Sequence, residues 1–211
     1  TVGNLLTENN VNDYTTTYTY DNLNRVSSIV DANNHSIIPV YDAIGNIVSV
    51  TDAAGSTTNF TYDALNRQIS STDAENNQTQ MAYDAVGNLT SITDANGVIT
   101  LYEYDNFNRL QNVIENYSSG AVADEDTNVT TTYSYDENGN LLTVTDANNH
   151  TDTYTYNVLN QLASESDALG NTKSYTYDDV GNLSQVTDGN NAVISYTYDE
   201  LNRIVNIDYP D

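Results

Sequence analysis

Hydrophobic and polar positions alternate in short runs along this chain. TTYTYD, residues 16–21, places Tyr18 and Tyr20 on one side and threonines on the other. Strict alternation of that kind is the period of a half-buried β-strand. A second kind of run, NLTSIT at 88–93, has its apolar residues three apart instead of two. That spacing breaks period two and predicts a bulge or sharp bend. The two runs alternate, separated by Asp-led segments such as DANG, DAAG and DANN, and DALN or DAVG. Asp starts a turn there, and Gly or Asn tolerates positive φ. Each copy therefore reads as a β-hairpin: a first strand after a GN or NR element, a tip, a second Thr- and Tyr-rich strand, and a second turn. Two strands of about five to six residues and two turns account for the 21 residues of a copy.

The copies are in register. Tyr20, Tyr41, Tyr62, Tyr83 and Tyr104 stand 21 residues apart, and after an interval of 31 the series resumes at Tyr135, Tyr156, Tyr177 and Tyr198. The tyrosine is followed by Asp21, Asp42, Asp63, Asp84, Asp105, Asp136, Asp178 and Asp199, with Asn157 as the substitute after Tyr156. The opening VGNLL fits the same pattern with its beginning cut off. A longer period is laid over the first, because the turns end alternately in Gly-Asn and in Asn-Arg. All four arginines, Arg25, Arg67, Arg109 and Arg203, occupy one turn position in alternate copies, which points to a 42-residue unit. A chain so built is an array.

Alternation also sorts the faces. Tyr18, Phe60, Met81, Tyr102, Tyr133, Tyr154, Tyr175 and Tyr196, with Pro39 as the exception, share a face with the repeat tyrosines. Thr19, Thr61, Thr155, Thr176 and Thr197 face the other way. First strands add Leu, Val or Ile (Val26, Ile47, Leu89, Leu110, Leu141, Leu183) and a second apolar residue three later. The copy with Gln68, Ile69 and Ser71 keeps that pattern worst. The expected fold is all-β: tandem 21-residue antiparallel hairpins in one array over 1–211, forming a continuous strip of roughly twenty strands. Accumulated twist would curve such a strip or wind it into a spiral. Its Tyr-and-aliphatic side calls for cover from another turn of the array or another chain.

Composition narrows the function. With 38% hydrophobic and 17% charged residues but 18 tyrosines, the chain is neither a typical globular domain nor a disordered one. A net charge of -25 excludes nucleic acid and anionic membranes as expected ligands. No apolar run approaches the ~20 residues of a membrane span. Cysteine is absent, so compartment cannot be read from disulfides. The chain starts at Thr1 without Met or a signal peptide, which fits a processed leader or an excerpt of a longer protein.

The repeated YDxxGNL and YDxxNR[LVI], with TDAxG completing each unit, resemble the YD repeats of the Rhs family, which includes polymorphic toxin carriers, insecticidal toxin-complex components and teneurins. The resemblance covers essentially the whole chain. It implies a spiralling β-sheet shell, often around a toxic C-terminal domain, in a secreted or cell-surface protein. It also implies, in many members, a Pro-rich self-cleaving segment, but only Pro39 and Pro210 occur here and nothing matches that segment. The partners it implies are further repeats of the same or identical chains and an enclosed toxin domain.

Candidate sites are few. Carboxylates every 21 residues admit a cation ladder, but the same aspartates serve as acceptors for turn N–H groups. Neighbouring hairpins repeat near ~9.5 Å, too far for one calcium to bridge. Each arginine is expected to pair with a repeat Asp of a neighbouring hairpin. His35 and His150 fall in identical DANNH tips and read as surface residues. The irregular place is the loop 115–128, a ten-residue insertion at a hairpin tip, where Asp124, Glu125 and Asp126 are weak calcium candidates without EF-hand spacing. That loop, or exposed tyrosine, is also where a glycan would bind in an adhesion module. The eight Asn-x-Ser/Thr sequons are about what so Asn-rich a chain produces by chance. No nucleotide loop, nucleophile elbow or metalloprotease helix is present, and almost every acid has equivalents 21 residues away, so no catalytic residue and no cofactor is assigned. The expected role is a structural wall segment; a self-assembling fibre or tube subunit and an adhesion module are the alternatives.

Overall fold

A computed structural model describes residues 3–12 and 14–210; Thr1 and Val2, at the start of the truncated first copy, lie outside it, as do Asp13 and Asp211. Among the described residues there are nineteen β-strands and no helix. The chain divides into two compact units at residue 100/101. The first holds β1 (Thr7–Asn9), β2 (Thr15–Tyr20), β3 (Val26–Val30), β4 (Ser36–Tyr41), β5 (Ile47–Thr51), β6 (Thr57–Tyr62), β7 (Gln68–Thr72), β8 (Gln78–Tyr83) and β9 (Leu89–Thr93). β10 (Ile99–Tyr104) straddles the division. The second unit continues with β11 (Leu110–Glu115), β12 (Val129–Tyr135), β13 (Leu141–Thr145), β14 (Thr151–Tyr156), β15 (Leu162–Ser166), β16 (Thr172–Tyr177), β17 (Leu183–Thr187), β18 (Val193–Tyr198) and β19 (Ile204–Asp208). In each unit every strand pairs antiparallel with the next in the chain. No strand crosses over, so the fold is a tandem hairpin array.

The irregular spacing of the first strands has the expected cause. Between β2 and β3 the register steps from Thr19↔Ser28 to Tyr20↔Val26, which leaves Ser27 as an extra residue. The same step recurs at Tyr62↔Gln68, Tyr83↔Leu89, Tyr135↔Leu141 and Tyr177↔Leu183. One bulge per copy lets both apolar residues of the first strand share the face of the tyrosines. Even the aberrant copy keeps it: Ile69 is the bulged residue there, and Phe60 pairs with Ser71.

Second strands show the predicted alternation: Thr17 and Thr19 are exposed and Tyr18 and Tyr20 half-buried in β2, and Gln80 and Ala82 are exposed and Met81 and Tyr83 half-buried in β8. All nine repeat tyrosines are half-buried. The described residues do not themselves cover that face. Among the described residues no hydrophobic side chain is fully buried, and Ser70 alone, at 8% exposure, counts as interior. On the threonine face, hydroxyls pair across strands, Thr61 with Ser70 at 2.6 Å and Thr155 with Ser164 at 2.7 Å. Backbone ladders and such cross-strand pairs hold the fold together in place of a core.

Candidate functional site

The Tyr-Asp turns are built one way throughout. In the turn at Asp63, the Asp63 N–H donates to the Arg67 carbonyl at 2.9 Å and the Asn66 N–H to the Asp63 carbonyl at 3.0 Å. Asp63 Oδ1 accepts from the Leu65 and Arg67 N–H groups at 2.9 and 3.0 Å. Asn66 takes φ 63°. This is a three-residue hairpin loop closed by a left-handed residue. Asp42, Asp84, Asp105, Asp136 and Asp178 do the same with Gly or Asn at the fourth position. Asn157 serves equally, its Oδ1 accepting from Leu159 and Gln161. The aspartates are thus turn acceptors, as the sequence suggested.

The TDAxG tips at the other edge have the same geometry. Asp52 Oδ1 accepts from the Ala54 and Ser56 N–H groups at 2.8 and 2.9 Å, and Gly55 has φ 84°. Asp31 and Asp146 add a bond from their histidine, His35 and His150 Nδ1 each lying 3.0 Å from Oδ2. Both histidines are largely exposed, as expected for tips. The sequence already gave both edges one chemistry, since Asp precedes Gly or Asn by three residues at both.

The arginines require a correction. Each pairs with the Asp of its own turn instead of a neighbour's: Arg67 Nε and Nη2 both lie 2.7 Å from Asp63 Oδ2, and Arg25, Arg109 and Arg203 repeat the contact. The strand register puts residues four apart across a three-residue loop, within side-chain reach. What goes to the neighbour is the remaining nitrogen. Arg67 Nη1 donates to the Asp84 carbonyl at 3.1 Å, and its guanidinium lies 4.6 Å from the Tyr83 ring centroid. Arg25 makes the same bond to Asp42 and stacks on Tyr41; Arg109 bonds Asp136 and stacks on Tyr135.

The Gly-Asn turns supply the opposite half of the lacing. Asn46, Asn140 and Asn182 each donate to Oδ2 of their own Asp and also to the left-handed Asn of the following Arg-type turn, Asn66, Asn160 and Asn202, at 3.3, 2.9 and 3.0 Å. Where Arg is replaced, Gln161 Nε2 reaches the Gly181 carbonyl at 3.2 Å. Arg turns therefore reach forward to Gly turns and Gly turns reach forward to Arg turns. That is the physical content of the 42-residue period. The tyrosine hydroxyls bind the two strands of one hairpin to each other, Tyr62 donating to the Ile47 carbonyl and Tyr198 to the Leu183 carbonyl, both at 2.8 Å.

These donors fix the charge state of the turns. The Arg67 N–H, and then its side chain, hold Asp63 below its ordinary value, and Asp21 and Asp105 are lowered in the same way. Asp136 and Asp178 are lowered first by the side-chain amides of Asn140 and Asn182. A carboxylate so occupied has little capacity left for a cation. The 115–128 loop is also tied to itself. Asn116 Nδ2 donates to the Asp126 carbonyl, Ser118 N–H to Asn128 Oδ1 at 2.8 Å, and Asp124 Oδ1 accepts from the N–H groups of Asp126 and Thr127. Among the described residues no three acids or histidines gather as a metal would require. Nor is any helix long and apolar enough to cross a membrane.

One copy departs from the rule. Glu165 stands where most first strands carry an aliphatic residue and β7 carries Ser71, and it accepts from Tyr175 Oη at 2.7 Å and Lys173 Nζ at 3.3 Å. Burial, with that hydrogen bond, pushes Tyr175 up to about 12. The contact fastens β15 to β16 by side chains.

The model of the family described as "RHS Repeat" matches residues 1–36, 41–78, 83–122, 121–151, 135–172, 156–192 and 177–211. The chain belongs to the RHS repeat family. Five of the seven matches of the RHS model start at the Tyr-Asp tyrosines 41, 83, 135, 156 and 177, and each of these spans close to two copies. A search of curated proteins finds no match. Among solved structures, the crystal structure of TcdB2-TccC3 without its hypervariable C-terminal region is similar over 91% of this chain, with 21% identity and a TM-score of 0.66. The RHS segment spans only 11% of that chain. TcdB2-TccC3-Cdc42 is similar over 92% of this chain and 16% of its own, with 17% identity and a TM-score of 0.35. At 21% identity the first of these likenesses is one of fold.

Proposed function

We propose that these residues form a stretch of wall in the β-sheet shell of a secreted or cell-surface RHS protein, without a catalytic role, around a domain carried elsewhere in the same polypeptide. The observation that carries the reading is the one-sided strip. Ring and aliphatic residues line one face half-buried with no core above them, while the turn carboxylates of both edges accept hydrogen bonds from their own loops. Such an array offers area and stiffness and few free functional groups. The TcdB2-TccC3 likeness adds that hairpins of this kind occur within a much longer chain.

The test uses the natural chain that carries this segment. Its C-terminal part should resist an added protease in the intact protein and become cleavable when Tyr83→Ala and Arg67→Ala together remove the lacing of one hairpin. Equal cleavage in the intact protein contradicts the wall. Saturable turnover of any substrate by the segment, abolished by a single substitution within it, contradicts the absence of catalysis.

A further inference from the structure

One position on the tyrosine face changes character in two consecutive copies. Four residues before the repeat tyrosine, on the same side of the second strand, seven of the nine copies carry threonine or isoleucine. The seventh copy carries Asp152 there and the eighth Lys173. Register places both on the tyrosine face: Asp152 opposes Val144, and Lys173 opposes Glu165, which in turn opposes Tyr154. Three charges thus sit on the neighbouring strands β14, β15 and β16, all within the second unit. Two of them satisfy each other. Lys173 Nζ lies 3.3 Å from Glu165 Oε1, which Tyr175 Oη also reaches at 2.7 Å. Asp152 accepts one N–H, from Ala168 at 3.2 Å, and among the described residues no lysine, arginine or histidine pairs with it. The Tyr154 phenol beside it is pushed up first by burial and then by the Asp152 and Glu165 carboxylates. Asp152, Tyr154, Glu165 and Lys173 line an open cleft of about 290 Å³, at the small end for a ligand pocket.

We propose that the protein segment covering this stretch of the tyrosine face sets a lysine or arginine side chain against Asp152. The inference rests on the wall reading above, which puts protein over that face. Its support is charge complementarity. Open to water, an aspartate needs no partner. Under a cover, two carboxylates and one ammonium leave one negative charge uncompensated, and a carboxylate taken out of water without an opposite charge is strongly unfavourable. The strip cannot supply the missing cation. Its one lysine is committed to Glu165, and its four arginines bond the aspartates of their own turns. The cover must bring it. A cleft of this size takes the end of one side chain more readily than a free ligand. The Tyr154 ring on its wall also favours a cation, because the attraction of a cation to an aromatic face adds to that of the carboxylate. A neutral segment would be served by the threonine or isoleucine that the other copies keep at this place.

The test is made in the natural chain that carries this segment, with protease protection of its C-terminal part as the readout. Asp152→Asn keeps an oxygen for the Ala168 N–H but leaves the opposing cation unpaired, and Asp152→Lys sets like charges together. The first should speed cleavage at least about tenfold and the second further, with the circular dichroism spectrum unchanged. An Asp152→Asn chain cleaved as slowly as its parent overturns the cation and leaves the wall standing. A parent whose C-terminal part is not protected at all overturns both. The unaltered chain gives a second reading that no misfolded variant can cloud. In its cryo-electron microscopy density a lysine or arginine nitrogen should lie within about 4 Å of the Asp152 carboxylate. An apolar side chain, a metal ion or water in that place, beneath a covered face, overturns the proposal alone.

Discussion

Glycine and asparagine share one task in this chain, closing a turn with a left-handed residue, but they do it at different angles. Asn24, Asn66, Asn108, Asn160 and Asn202 sit at φ 57–63°, while Gly45, Gly87, Gly139 and Gly181 sit at 89–107°. The wider angle suits glycine alone. A Cβ added at Gly87 meets nothing within 4 Å, so a substitution there is felt through the backbone. Gly87→Ala should cost about 1–2 kcal/mol in denaturant unfolding, and Gly87→Asn distinctly less, because asparagine holds the equivalent place in alternate copies. Equal losses for the two would show that the turn does not depend on its left-handed residue.

A hairpin here is held by its ladder, by side-chain bonds between its two strands, and by what its turns do to the next one. Tyr62 Oη donates to the Ile47 carbonyl across the β5–β6 pair, so Tyr62→Phe should lower stability by about 0.5–1.5 kcal/mol. An unchanged denaturation midpoint would mean the hydroxyl merely rests there. Strand pairs, bulges, turns and the sorting of faces were all legible in the sequence, because alternation and turn chemistry are local and repeat in register. The lacing was not. Whether Arg67 pairs with Asp63 or with Asp84 depends on where the strand register places a side chain with several donors, and period cannot decide it.

At the scale of the molecule, stability is spread over equivalent turns instead of being gathered in a core, so conditions that weaken one weaken all. Protonation is such a condition. Asp21, Asp63 and Asp105 are lowered in the folded chain, so the unfolded chain binds their protons more readily. The stabilisation they bring is complete above the ordinary value of 3.8 and is lost as pH falls through the lower folded values. Relief of the -25 charge works the other way, and high salt removes most of it from the comparison. In high salt the melting midpoint should stay level from about pH 7 to 5 and drop below about pH 4; a midpoint that climbs throughout acidification would show that repulsion outweighs the turns. The scaffold role itself is met most directly by cryo-electron microscopy of the natural chain that carries this segment. These hairpins should lie in a wall, with the repeat tyrosines on a face covered by protein and the threonine face in solvent. Density showing the tyrosine face open to bulk water along its length, or these residues folded around a pocket of their own, would contradict it.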